Sequence, residues 1–255
     1  MSLSNTRLLA VALLACAATL TITGCRSASG KPRAGSEVVR PDQVTDFATL
    51  YGQNCAGCHG ASGKNGAAIA LANPVYLAVA GVANIQRITA NGVLGTAMPP
   101  FGKTAGGMLT DQQIAVLAAG MESIWGYPAA LAGQTPPAYA SSTPGDPTRG
   151  EKAFSSFCAR CHGIDGTGAS PVNEFKTGSL IDPAYLALIS DQGLRSIILA
   201  SEIRHSDMEY LKPIRHDWRS YSTTHPLTDA EITDIVAWLT SHRTATPGQP
   251  YQQHP

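Results

Sequence analysis

Apolar residues recur three and four positions apart in several short stretches of the chain, the spacing of a helix with one buried face. Val44, Phe47, Ala48 and Tyr51 share such a face across 42–55, and Phe154 and Phe157 share one across 149–157. A middle helix is expected after "NPVYL" (73–77) and again after "DPAYL" (182–186). The clearest stretches are "LTDQQIAVLAAGM" (109–121) and "LTDAEITDIVAWL" (227–239), where Ile, Val, Leu and Trp return at helical intervals. Thr110 and Thr228 stand at N-cap positions, and Asp111 and Asp229 favour the first helical turn. Long runs of Val, Ile, Thr and aromatics at period two are missing. The pattern therefore suggests helices and gives strands little support.

The same stretches pair off as an internal repeat. "CAGCHG" at 55 matches "CARCHG" at 158, "NPVYLAV" at 73 matches "DPAYLAL" at 182, and the two "LTD" helices follow in the same order. The offset grows from 103 to 109 to 118 as small insertions accumulate. Two copies of one module result, each of a usual size for a small domain. We place them at 42–125 and 149–243. Between them, 126–148 is rich in Pro, Ser, Thr and Gly and reads as a semi-extended linker. The tail, 244–255, reads as disordered. The loops "GASGKNG" and "GIDGTGAS" are glycine-rich, and a module so small has little core of its own. Something else is expected to fill its centre.

The first residues change the picture of location. Arg7 precedes the uncharged apolar run "LLAVALLACAATLTIT", which ends before Gly24 and Cys25, so 1–24 reads as a secretory signal. The segment "ITGC", 22–25, resembles the lipobox of bacterial lipoproteins. That resemblance implies cleavage before Cys25 and acylation of Cys25, with 25–41 as a tether and the modules on the periplasmic face of a membrane. An uncleaved N-terminal helix anchor is the alternative, and it puts the modules on the same side. Lys plus Arg and Asp plus Glu balance at 18 each, so no nucleic-acid partner is expected.

The chain has six cysteines. Cys16 lies in the signal and Cys25 at its end. Cys55, Cys58, Cys158 and Cys161 all lie in two C-x-x-C-H motifs, so no disulfide framework is needed. C-x-x-C followed by His is the attachment signature of c-type haem. Thioethers from one helical turn bridge the two vinyl-derived carbons, and the next imidazole meets the iron. Cys55 and Cys58 would hold one haem with His59 as axial ligand, and Cys158, Cys161 and His162 the other. A zinc site would need two further ligands beside each pair, and a redox dithiol would not need the histidine twice. In "TAMPPFG", Met98 stands before proline and is the expected distal ligand of the first iron, with Met108 and Met121 competing less well. The second copy lacks "MP". Met208 is the only methionine after the second motif and is preferred there, with His205 and His216 as alternatives.

Both modules resemble class I cytochrome c domains, through the first helix, "CAGCHG" or "CARCHG", the distal loop and the final "LTD…VAWL" helix. The whole resembles a bacterial dihaem cytochrome c lipoprotein. That resemblance implies an all-α fold of two tandem domains, each a few helices wrapped around a covalently attached haem. It implies aromatic packing between first and last helices, for which Tyr51, Phe154 and Trp238 are candidates. Gly120 stands where the second copy has Trp238. It also implies a proline carbonyl orienting the haem histidine; Pro171 lies in that loop, and the first copy has no proline near it. The expected function is one-electron transfer through two low-spin haems rather than catalysis. A quinol-oxidising complex, a periplasmic dehydrogenase or a terminal oxidase would be the partner. A dihaem peroxidase-like enzyme with an open second haem, using His205 or Glu209, and an accessory subunit of a larger oxidoreductase are the alternatives.

Overall fold

The computed structural model describes residues 39–169, 177–200, 216–219 and 225–244. The described residues from Asp42 onward form one compact unit with two helical lobes. The first lobe contains α1 (Phe47–Asn54), α2 (Ala56–His59), α3 (Pro74–Asn91) and α4 (Asp111–Trp125). The second contains α5 (Pro147–Phe157), α6 (Ala159–His162), α7 (Pro183–Leu188), α8 (Asp191–Ala200) and α9 (Asp229–Ser241). Among the described residues the extended structure is one two-residue strand, β1 (His216–Asp217), with an antiparallel bridge from Asp217 to Ala200 and a parallel one from Gly102 to Leu109.

Helix starts follow from side-chain caps. The first helix begins at Phe47 rather than near residue 42, because Asp46 accepts a 2.7 Å hydrogen bond from the Thr49 amide. Val44 stays outside it, its carbonyl accepting from Gln113 Nε2. In the second lobe Asp146 caps, Pro147 fills the first helical position, and α5 starts two residues earlier than the apolar spacing suggested. The "LTD" helices begin as expected, with reciprocal capping boxes between Thr110 and Gln113 and between Thr228 and Glu231. The middle helix breaks at the same place in both copies. Gly81 adopts a positive φ of 68° inside α3, and the matching Ile189–Ser190 step separates α7 from α8.

The first and last helices of each lobe cross with their bulk exchanged. In lobe 2, Gly150 of α5 lies against the backbone of α9, and Phe154 packs on Trp238 with ring centroids 4.3 Å apart. In lobe 1 the position matching Gly150 is Phe47, and its ring lies over Gly120, the position matching Trp238. Small on large has become large on small. The indole returns as Trp125, five residues further along the last helix, 5.0 Å from Tyr51 and 5.6 Å from Phe47. Both indoles close over the same glycine of the attachment loop. A Cβ on Gly63 would meet Trp125 at 2.9 Å, and one on Gly166 would meet Trp238 at 3.2 Å. Both glycines also have positive φ, a backbone conformation that favours glycine whatever the space.

The segment from 126 to 146 is bound to both lobes. Tyr139 is buried in the core of lobe 1, and the carbonyls of Ala138 and Tyr139 accept hydrogen bonds from Arg195 of lobe 2. The stretch holds two tyrosines, and of these Tyr127 is exposed while Tyr139 is buried, a difference composition does not give.

Candidate haem-attachment sites

The two cysteine motifs form the same local structure. The helix before each ends at a residue with φ −118°, Cys55 or Cys158, and one further turn carries the second cysteine and the histidine. The amides of His59 and His162 each donate to the carbonyl of the first cysteine of their motif, both at 3.0 Å. Gly60 and Gly163 then turn the chain with φ of 81° and 76°. Two thiols on one turn with the imidazole directly after them is the arrangement that two thioethers and an axial ligand require.

In lobe 1 the imidazole is oriented. His59 is buried, and its Nδ1 lies 2.8 Å from the Ile69 carbonyl. With the proton held there, Nε2 is left with its lone pair for a metal. Burial lowers the His59 pKa, partly countered by that carbonyl, and the neutral ring is the form that ligates. A proline is therefore not needed for this role. Any residue can supply the carbonyl, which is why composition gave no sign of Ile69. Tyr51 adds a second tie, its hydroxyl donating to the Gly60 carbonyl at 2.8 Å.

All four motif cysteines are free thiols. Burial, helped by Cys58, pushes Cys55 up to about 11, and burial with Cys161 pushes Cys158 up to about 12. An active redox dithiol needs the opposite shift. Among the described residues no group of three or more His, Cys, Asp or Glu gathers to hold a metal, so the zinc alternative lacks its further ligands there. The residues fit a haem better. Trp218 Nε1 is buried without a partner in the core that also takes in Cys158. An orphaned donor of this kind costs about 1–3 kcal/mol, and the carboxylates of a haem are acceptors of the kind it lacks.

Met98 lies, half-buried, in the loop after α3, its carbonyl accepting from Val93 at 3.0 Å and its amide donating to Thr96 Oγ1 at 3.2 Å. Of the two other methionines weighed for this role, Met121 is 2% exposed in the core of lobe 1 and Met108 is 83% exposed. Met208, His205, Glu209, Pro171 and Cys25 lie outside the described residues, as does the side chain of His216.

Comparison with known proteins agrees with the two-lobe arrangement. Residues 147–243 match the family described as Cytochrome c, and residues 42–119 match Cytochrome C oxidase, cbb3-type, subunit III. A Cbb3-type cytochrome c oxidase subunit CcoP of Azospirillum sp. (strain B510) is 29% identical over 147 residues, which cover 49% of this chain and 45% of that protein. The match thus spans less than half of the relative's length. A chain of the Kuenenia stuttgartiensis reducing HAO-like protein complex aligns over 80% of this chain and 99% of its own, at 18% identity and a TM-score of 0.43. With the repeated attachment motif in both matched regions, the chain contains two cytochrome c domains and is a dihaem cytochrome c.

Proposed function

We propose that the chain carries single electrons through its two haems and feeds a membrane redox complex. The observation behind this reading is the repeated motif turn, with two free thiols and an imidazole placed alike in both lobes. A bound haem would supply reversible one-electron chemistry. The protein's part is to attach it at Cys55 and Cys58, and at Cys158 and Cys161, and to present His59 and His162. Met98 and Met208 are the distal ligands in this reading. A sixth ligand leaves no place for substrate, and methionine in that position raises the reduction potential relative to a second histidine.

Among partner classes a terminal oxidase is favoured over a quinol-oxidising complex or a dehydrogenase. The likeness to a cbb3-type oxidase subunit supports that choice. In this reading Cys25 is lipidated and anchors the chain on the periplasmic face of a bacterial membrane. Among the described residues no helix is long and apolar enough to cross one.

The test is a visible spectrum of the matured chain, oxidised and reduced, with and without carbon monoxide. Two haems per chain, both low-spin, with methionine–iron absorption and no rapid carbon monoxide binding are expected. One high-spin haem that reacts with peroxide would replace the carrier by the peroxidase-like reading. Mass spectrometry of the mature N-terminus tests the lipid: a diacylglyceryl group on Cys25 is expected, and an unmodified Cys25 would refute the anchor.

A further inference from the structure

We propose that Arg195 and Tyr139 together lock the two lobes at a fixed separation and so set the rate of electron passage between the two haem-attachment sites. This rests on the electron-carrier reading above. Two small domains joined by a proline-rich segment are expected to move against each other unless something holds them. Electron tunnelling falls off steeply with distance, so relative motion would leave transfer to the rare close arrangements.

The segment between α4 and α5 is held from both sides at one dipeptide. Arg195, in α8, is 3% exposed. Its Nε donates to the carbonyls of Ala138 and Tyr139, both at 3.1 Å, and Nη2 to Ala138 at 2.7 Å. Nη1 donates to Thr233 Oγ1 at 2.9 Å, and Nη2 also pairs with the Asp229 carboxylate, both in α9. Gln192 Nε2, one turn earlier in α8, adds a 2.8 Å bond to the Tyr139 carbonyl. The Tyr139 ring goes the other way. It is 9% exposed in the core of lobe 1, with its centroid 6.5 Å from that of Tyr76. Next to it, the Asn73 side chain donates to the Ala200 carbonyl across the lobe boundary.

Carbonyls bonded to lobe 2 and a ring sunk in lobe 1 leave the dipeptide no freedom to follow one lobe alone. If the lobes parted, either the guanidinium would give up the Ala138 and Tyr139 carbonyls, or the ring would leave its core. Arginine is needed for this. Its planar fork reaches two carbonyls, a hydroxyl and a carboxylate at once, which a lysine ammonium cannot.

The experiment measures electron equilibration between the haems of the matured full chain after flash reduction, alongside proteolysis of the 126–146 segment. Arg195→Met keeps the apolar bulk and removes the fork. Tyr139→Ala releases the lock from the lobe 1 side. Both are expected to keep two haem spectra and parental midpoint potentials. Both should slow inter-haem transfer about tenfold or more, and speed cleavage in 126–146 by a similar factor. Arg195→Lys should fall between parent and Arg195→Met. A residue serving only the stability of lobe 2 would not give the same phenotype as a change in lobe 1. If Arg195→Met does not retain its second haem, Tyr139→Ala decides alone. Inter-haem rates within about twofold of the parent, with both haems bound, overturn the assignment. A parent chain without haem absorbance overturns the electron-carrier reading instead.

Discussion

Replacing Gly150 by alanine tests the crossing of α5 and α9. An added Cβ would lie 1.9 Å from the Asp234 carbonyl oxygen, 2.5 Å from its carbon and 2.8 Å from Trp238 Cβ. The first obstacles are backbone, so no rotamer change relieves them, and the helices must move apart. Asp234 resists that movement, because its carboxylate accepts from Arg149 Nε at 2.7 Å, Arg149 Nη2 at 3.0 Å and the Asp146 amide at 2.7 Å. Overpacking costs about 1–3 kcal/mol, and this contact belongs at the upper end. Alanine recovers about 1 kcal/mol of helix propensity. The expected net loss is about 2 kcal/mol, which lowers the melting temperature of lobe 2 by about 8–16 °C for a domain of this size. Gly120→Ala is the control at the matching crossing of lobe 1. Its Cβ would meet the Phe47 ring at 2.2 Å, a side chain that can turn away, so a loss of about 0–1 kcal/mol is expected. Thermal unfolding of the matured chain, followed by haem absorbance and circular dichroism, reads both. Double mutants separate the causes. Phe47→Leu should relieve Gly120→Ala, whereas Trp238→Ala should not relieve Gly150→Ala. A Gly150→Ala protein as stable as the parent, or one rescued by Trp238→Ala, would refute the backbone-clash reasoning.

Met98→Ala is expected to make one haem high-spin and able to bind carbon monoxide; an unchanged spectrum would remove Met98 from the ligand set. Tyr51→Phe deletes the hydrogen bond to Gly60 and should cost about 1 kcal/mol in denaturant unfolding, with wild-type stability as the refuting result. Burial raises the Asp234 pKa, but the bonds from Arg149 and Asp146 outweigh it and hold the folded value below the ordinary 3.8. Its contribution is therefore complete above pH 3.8 and is lost as pH falls through the lower folded value. Asp234→Asn should lower lobe 2 stability at pH 7 and flatten that acid limb; an acid limb as steep as the parent's would show that Asp234 is not its source. Thr228→Ala removes the cap of α9 and should cost about 1 kcal/mol by the same unfolding assay, an unchanged midpoint being the contrary result.

The sequence by itself determined what depends on short-range spacing. Apolar intervals of three and four placed the helices, and Thr110 and Thr228, whose side chains reach the amides three residues on, marked where the last helices begin. The C-x-x-C-H turns needed only local geometry, because one helical turn brings both thiols and the imidazole to their places. What the sequence could not decide was which distant groups meet. Trp125 replaces the missing indole of the first copy from five residues away, since a ring that large can reach the Gly63 loop from a different turn of the helix. The Ile69 carbonyl takes the place expected of a proline, since every residue has a carbonyl and only the path of the loop selects one. Arg195 stood in plain view in "LRSIILA", a charge within an apolar helix, which marks a buried partner without naming it. Two of its partners, the Ala138 and Tyr139 carbonyls, lie 57 and 56 residues back along the chain, in the segment that composition marked as a linker. Polar residues at a segment's surface and polar backbone held by a buried cation look alike in composition. Only the packing of the lobes against that segment tells them apart.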